Sequence, residues 1–529
     1  MKKNFILTLC FLLVSIVAFA GKFVLIPVTE TYNLESFFNN KELKIHYYCD
    51  DYVLATANVV HYHNAVVLDE DAFSDVSHYA IVYCHENYKE EYLSSIFKNN
   101  NNNVAETQHV ASLLYSGNNF LVMKILSNDF MSAKNDGMIT VRDIQARLPK
   151  TSITYPVIIE PDKDIVNYLS QVSINRMMAD IQTLQDLETR FCQHPNIFIA
   201  RDWIEKKLDA LGLEVILHNF PYFDNDNVIA VQYGTEFPNE YVVCGAHYDS
   251  YSNQIPDVAP GADDNASGTA GILEIAKILS QYDFKRSIIY CAFSAEERGL
   301  IGSGYYAEQC ANQNLNIVAY FNMDMIGYLA TGENIKIHFS NPLSSKILAE
   351  YCENICNVYF SEIPFAYNNY MSNSDHRSFI NSGYMGITSI EHDFTSNLYY
   401  HQVDDIIGLG VNSPELVEMI VRANLASIAT LAMYDQEMTY PNFEFNPKFK
   451  IYPNPTTGEL YVTSDERQVT NVEIFDIYGR KVHSLPPTSY PAPNTPHLLP
   501  ITSINISHLP AGIYFIKIAN EFVGKFIKE

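Results

Sequence analysis

The chain has 529 residues, with 34 Lys and Arg against 61 Asp and Glu, a formal net charge of −27. That length calls for several domains rather than one, and 47% hydrophobic against 18% charged residues excludes a largely disordered chain. So acidic a surface repels polyanions, which argues against nucleic acid as a partner.

Residues 1–20 read as a secretory signal peptide. Lys2 and Lys3 precede a nearly continuous apolar run over 5–19, and Ala18, Phe19 and Ala20 before Gly21 fit a small-residue cleavage site. The competing reading is a membrane anchor, but the run falls short of the ~20 residues that span a bilayer. No later stretch reads as long and apolar enough, so no transmembrane segment is expected in the mature chain.

Over 21–165, short β-like runs (KFVLIPV, LKIHYY, HYAIVYC and NFLVMKIL) are broken by polar stretches, and the asparagine run at 99–103 reads as a loop. His61 and His63 alternate on a strand and read as solvent-facing. A β-rich accessory or pro-domain is expected here.

Over 166–437 the period changes. Apolar runs at 240–246, 287–293, 317–323 and 386–391 read as strands, and FIARDWIEKKLDAL, TAGILEIAKILSQ, SSKILAEYCENIC and PELVEMIVRANLASIATLAMY as helices. Strands apolar on both sides and separated by helices predict an α/β domain, its mainly parallel sheet covered by helices on both faces. Cys244 and Cys291 fall in strand runs as core residues. Cys352 and Cys356, at helical spacing, are either a disulfide or two buried thiols.

The chemistry-bearing residues gather at the ends of these strands, where an open α/β sheet places its ligands. The first strand runs into His247, Tyr248 and Asp249. The period of two puts His247 and Asp249 on one side, so the Asp249 carboxylate is expected to accept the spare imidazole N–H. PGADDNASG follows, with small residues around Asp263 and Asp264 ahead of a helix starting near Ser267. Such a loop brings a carboxylate close to a cation, and one carboxylate can bridge two. Glu296 and Glu297 follow the next strand; as a dipeptide alone they read as an acidic turn. Asp324 stands between two methionines, where a bare carboxylate is costly without a cation or hydrogen-bond donors. His401 comes last, in LYYHQVDD. Two histidines and several carboxylates at strand ends suit a two-zinc site.

A linker rich in aromatic residues and proline is expected at 438–450. Beyond it, 451–529 return to short strands with turn signals, which predicts a small β-sandwich containing the proline-rich loop PPTSYPAPNTP.

Six strings in order, GAHYDS, PGADDNASG, FSAEERGLIGS, NMDMIG, SDHRSF and YYHQVDD, resemble the secreted co-catalytic zinc aminopeptidases, whose relatives include glutaminyl cyclases and the non-catalytic transferrin-receptor ectodomain. The resemblance implies a zinc exopeptidase-like fold and two Zn2+ ions. It makes His247 and Asp324 ligands of one zinc, and Glu297 and His401 ligands of the other. Asp264 becomes the bridging carboxylate, with Asp263 the second choice, Glu296 the general base and Asp249 the residue that orients His247. Asp375 and His376 match a motif near the substrate pocket rather than ligands, and Tyr400 is a candidate for stabilising an oxyanion. The implied substrates are peptides with a free N-terminus. A one-zinc glutaminyl cyclase and a binding protein on an inactive scaffold share the fold, but the intact ligand set favours the two-metal hydrolase.

The tail strings YPNPTTGELYV, VEIFDIYGRKV, LPAGIYFIKI and KFIK resemble the C-terminal sorting domain of type IX secretion in Bacteroidetes. That likeness implies the type IX machinery as a partner and a secreted or cell-surface location. The alternative is an accessory sandwich such as a carbohydrate binder, for which no aromatic platform is evident.

Overall fold

The computed structural model describes residues 21–434 and 449–528, apart from 84–110, 127–137, 486–500 and several shorter stretches. The expected signal peptide, His61, His63, the asparagine loop, the linker up to residue 448 and the proline-rich loop lie outside the described residues. The chain divides into two compact units, residues 1–134 with 141–146, and residues 135–140 with 147–529.

The first unit is β-rich, with a four-stranded sheet and the strands Ser77–Tyr83, Ala111–Ser116 and Phe120–Leu126 of another. Lys22–Pro27 and Tyr52–Ala57 pair antiparallel and are buried almost throughout, which is why the first reads as an apolar run; the second escaped the sequence reading.

The α/β domain lies in the second unit. Its sheet comprises β1 (Glu214–Asn219), β2 (Asp226–Gln232), β3 (Phe237–His247), β4 (Arg286–Phe293), β5 (Asn316–Met323), β6 (Ile337–Ser340), β7 (Phe365–Asn368) and β8 (Gly386–Ser389), in the order β7-β6-β8-β5-β3-β4-β2-β1. The four strands legible in the sequence, β3, β4, β5 and β8, form the parallel centre. The flanks make the sheet mixed: β2 joins β4, β1 joins β2 and β6 joins β8, all antiparallel, while β6 and β7 pair parallel. These flanking strands escaped the sequence reading because β6 and β7 are short and β1 is largely exposed, with Ile216 and Leu217 facing solvent.

Period-two alternation divides the central strands between two helical layers. Val242, Cys244 and Ala246 of β3, with Ile288, Tyr290 and Ala292 of β4, pack in one core with α1 (Ile174–Gln185), α2 (Asn196–Asp209), α3 (Gly268–Leu279), α5 (Lys346–Tyr359) and α7 (Pro414–Met433). Val243, Ile289, Cys291 and Phe293 pack on the opposite side with α4 (Ile301–Asn312) and α6 (His376–Asn381).

Helix α7 corrects one sequence expectation. By length and composition this 20-residue helix could cross a membrane, but 78% of its apolar window is buried inside the protein. Pro414 opens it, where the missing N–H costs nothing, and the Ser413 hydroxyl caps Leu416 N. Among the described residues Cys352 and Cys356 are free and buried, as are Cys244 and Cys291.

The tail has a three-stranded and a four-stranded sheet. Leu460, Val462 and Ile504 from the first share one core with Ile474, Ile516 and Phe526 from the second, the arrangement of a small sandwich.

Candidate metal centre

Strands β3, β4 and β5 are adjacent and parallel, so their C-terminal ends lie side by side. Strand β3 ends at His247, Asp324 follows β5 directly, and Glu296 and Glu297 follow β4 after a tight turn at Ala295. Asp264 and His401 arrive on irregular segments. Ala295, Met325 and His401 all adopt left-handed backbones, with φ of 57°, 52° and 56°. Such strain, about 1–3 kcal/mol per residue, persists where surrounding structure over-determines it.

The side chains converge. His247 Nε2 lies 3.3 Å from Asp264 Oδ1, 3.3 Å from Asp324 Oδ1 and 4.0 Å from Glu296 Oε2. His401 Nε2 lies 3.1 Å from Asp264 Oδ2 and 3.1 Å from Glu297 Oε2. Asp264 therefore turns one carboxylate oxygen toward each imidazole. All six residues are buried. His247, Glu296 and Asp324 form one group able to hold a cation, and His247, Asp264 and Glu297 a second.

The Nδ1 of His247 lies 3.1 Å from the backbone carbonyl of Asp249, an acceptor, so this nitrogen carries the proton. With Nδ1 so anchored, Nε2 faces the acids and is the nitrogen that would give up its proton to ligate a cation, the tautomer that metal ligation requires. This differs from the sequence expectation, in which the Asp249 side chain performed that task. Its Oδ1 is 3.6 Å from Nδ1, and the carboxylate instead accepts the backbone N–H groups of Glu296 at 3.1 Å and Glu297 at 3.3 Å. Asp249 holds the glutamate-bearing turn more directly than the imidazole.

Negative charge is crowded here. Burial, then the neighbouring Glu297, Asp324 and Asp375, push the Glu296 carboxyl well above its ordinary range, with His247 opposing. Burial and the nearby Asp264 push Glu297 up to about 7. Asp264 is held low, because its hydrogen bonds to His247 and His401 outweigh burial. Burial lowers the proton affinity of His247, but Glu296 and Asp324 more than reverse it. Glu297 Oε1 and Asp324 Oδ1 are buried without a hydrogen-bond donor, the situation a cation relieves. Imidazole and carboxylate are donors that zinc takes, so the residues present fit zinc.

Residues 227–422 match the model of peptidase family M28, and residues 450–529 that of a secretion system C-terminal sorting domain. The chain carries an M28 peptidase domain. A probable zinc metalloprotease of Pyrenophora tritici-repentis is 27% identical over 287 residues, 44% of this chain and 66% of that protein. Leucine aminopeptidase 1 of Ajellomyces dermatitidis is 28% identical over 281 residues, 49% of this chain and 71% of the relative. The chain thus spans just under two thirds of the former's length. The fold resembles the LapA aminopeptidase of Legionella pneumophila, with a TM-score of 0.54 at 17% identity, covering 68% of this chain and 100% of that one. The sorting domain marks the protein for secretion or the cell surface.

In the M28 domain the remaining sequence candidates surround the six converging residues. Asp263 turns away: its carboxylate accepts Gly327 N at 2.7 Å and Asn397 Nδ2 at 3.1 Å. Asp375 and His376 are buried at the start of α6, and Asp375 lies close enough to raise the proton affinity of Glu296. The ring of Tyr400 stacks on His401 with centroids 3.9 Å apart, and Tyr251 approaches the same imidazole at 4.9 Å. Sequence reasoning missed Arg190, Glu391, Asn397 and the role of Asp405. Asp405 stood inside the YYHQVDD string, four residues after His401, and that fixed spacing was the available signal. Arg190 stood outside every string.

Proposed function

We propose that the protein is a secreted aminopeptidase that uses two zinc ions and Glu296 to hydrolyse the first peptide bond of substrates with a free N-terminus. The reading rests on the Asp264 carboxylate, one oxygen on the His247 side and the other on the His401 side, as a bridge between two cations requires. His247 and Asp324 would hold one ion and His401 and Glu297 the other. Bound there, zinc would make water acidic enough to ionise near neutral pH and would polarise the scissile carbonyl.

Glu296 is the general base. Its Oε2 lies 4.0 Å from His247 Nε2, beside the proposed metal position, where the carboxylate would take the proton of the attacking water and return it to the leaving amine. Asp249 fixes the turn that carries it. Charge left over on the carboxylates would hold the substrate's ammonium group and confine cleavage to the N-terminus. Residues 166–437 would form the peptidase domain, 21–165 an accessory or pro-domain, and 451–529 the signal handled by the type IX secretion machinery.

Zinc content of the purified protein, measured beside release of p-nitroaniline from aminoacyl-p-nitroanilides, tests this reading. Two zinc ions per chain and chelator-sensitive release are expected. Protein that takes up no zinc, or that cleaves with chelator present, would refute it.

A further inference from the structure

One stretch of backbone decides where the Asp264 carboxylate points: the loop over residues 260–264. Every residue in it is tied by one of two side chains or by the backbone of one of them. The Arg190 guanidinium donates to the carbonyls of Pro260 at 2.5 Å and Gly261 at 2.8 Å. The Asp405 carbonyl accepts Ala262 N at 3.0 Å, and its carboxylate accepts Asp263 N at 2.9 Å and Asp264 N at 3.0 Å. We propose that Arg190 and Asp405 are positioning residues, a two-sided clamp that orients Asp264 so that each of its oxygens meets a different zinc ion. The proposal rests on the two-zinc reading above.

The clamp also joins the segments that bring the two histidines. Arg190 donates through Nε to the Tyr248 carbonyl at 2.8 Å, one residue beyond His247, and its own N–H bonds the Ser250 hydroxyl at 3.0 Å. Asp405 lies four residues past His401. The three segments bearing His247, Asp264 and His401 are therefore locked together away from the donor atoms themselves.

The side chains suit these tasks. Arginine presents a rigid planar fork of donors, which the compact ammonium of lysine cannot reproduce across several carbonyls. Arg190 is fully buried and also reaches the Leu184 carbonyl at 3.2 Å. Asp405 uses both carboxylate oxygens on consecutive N–H groups, and an asparagine would set an NH2 against one of them. The loop is shaped for the fit: Gly261 has φ of +52°, and a Cβ there would come within 2.4 Å of Asp264 O and 2.9 Å of Arg190 Nη2.

The test is zinc titration of chelator-stripped full-length protein, followed by calorimetry and metal analysis. Asp405→Asn should keep a cooperative unfolding transition when metal-free, yet bind zinc about 10–100-fold more weakly, with the loss concentrated in the second ion. Arg190→Lys should do the same, and the double variant should lose less than the product of the two single losses, because both act through one loop. Asp404→Asn, an exposed neighbour, should bind like wild type. Two zinc ions bound by Asp405→Asn with wild-type affinity would overturn the clamp while leaving the two-zinc reading intact. If Arg190→Lys fails to fold, Asp405→Asn alone decides. A wild-type protein that binds no zinc defeats the earlier reading instead, and is recognised as such because no variant is needed to see it.

Discussion

Seven of the buried acidic residues around the site fall into two regions with opposite hydrogen-bond accounts. In the outer region each carboxylate is occupied by N–H groups of the protein: Asp249 by Glu296 and Glu297, Asp405 by Asp263 and Asp264, Asp263 by Gly327 and Asn397, and Glu391 by Tyr328 and Asn397. In the inner region Asp264, Glu297 and Asp324 face imidazoles, and buried oxygens of Glu297 and Asp324 meet no donor. Burial is nearly equal in both, so burial does not separate them. What separates these seven is whether the lone pairs are already taken; Asp375, buried beside Glu296 with neither oxygen in a hydrogen bond, stands apart from both regions.

Identical chemical changes should therefore have unequal effects on the two sides. The largest is expected inside. Asp264→Asn should abolish both zinc uptake and peptidase activity, since an amide cannot supply charge to two cations. Glu296→Gln should retain zinc while kcat falls by about 10²–10⁴-fold, the range for a lost general base. Metal analysis beside steady-state kinetics distinguishes the two, and a Glu296→Gln variant with wild-type kcat would remove that residue from the chemistry. Outside, Asp249→Asn still accepts one of the two N–H groups, so a loss of about 10–100-fold in kcat/KM is expected, read most cleanly as a fall in kcat with little change in KM.

Much of the inner region was legible in the sequence, because strand ends are legible. Uninterrupted apolar runs such as EYVVCGA announce a strand buried on both faces, and a polar residue directly after one sits at the sheet's edge. His247 and Asp324 follow that rule, and Glu296 and Glu297 stand just beyond the two-residue turn that ends their strand. Asp263 and Asp264 do not: both lie in one loop, and only the orientation of two consecutive peptide units decides which of them faces the histidines. The outer region was nearly invisible. Arg190 acts on backbone carbonyls far away in the chain, which no residue pattern encodes, and Glu391 and Asn397 meet Asp263 only once the fold is formed. The flanking strands were lost for a related reason: β1 is so exposed that its apolar signal is diluted.

Buried acids in and around the inner region set a pH dependence that metal should reverse. In the metal-free protein Glu297, Asp375 and Asp405 hold pKa values raised to about 7, mainly by burial. Between about pH 4, the ordinary carboxylate range, and those raised values, the folded protein binds more protons than the unfolded chain, so stability falls as pH rises through the window. Asp264, held below its ordinary value, works in the opposite sense but only in more acid solution. Chelator-treated protein should melt at a lower temperature at about pH 7.5 than at about pH 5.5. Zinc should invert the order, because it binds the ionised carboxylates. Equal melting temperatures for the metal-free protein at both values would mean that the charge is not crowded as the geometry indicates.

The smallest effect is expected where two outer acids share a proton. Asp263 and Glu391 both accept from the Asn397 amide. Both carboxyls are raised mainly by burial, and Glu391 also by the charge of Asp263, so the pair keeps a proton. Glutamine at position 391 resembles a protonated glutamate there: neutral, of the same size and able to donate toward Asp263. It forfeits one weak acceptance, either Asn397 Nδ2 at 3.0 Å or Tyr328 N at 3.2 Å, worth about 1 kcal/mol. Glu391→Gln should thus lower stability by about that amount and leave kcat within a factor of a few. The equivalent change at Asp264, on the neighbouring residue of the same loop, should be fatal to activity. If Glu391→Gln instead matched Asp264→Asn, the line between the two regions would have to move outward, and Glu391 would belong with the residues that meet the metal.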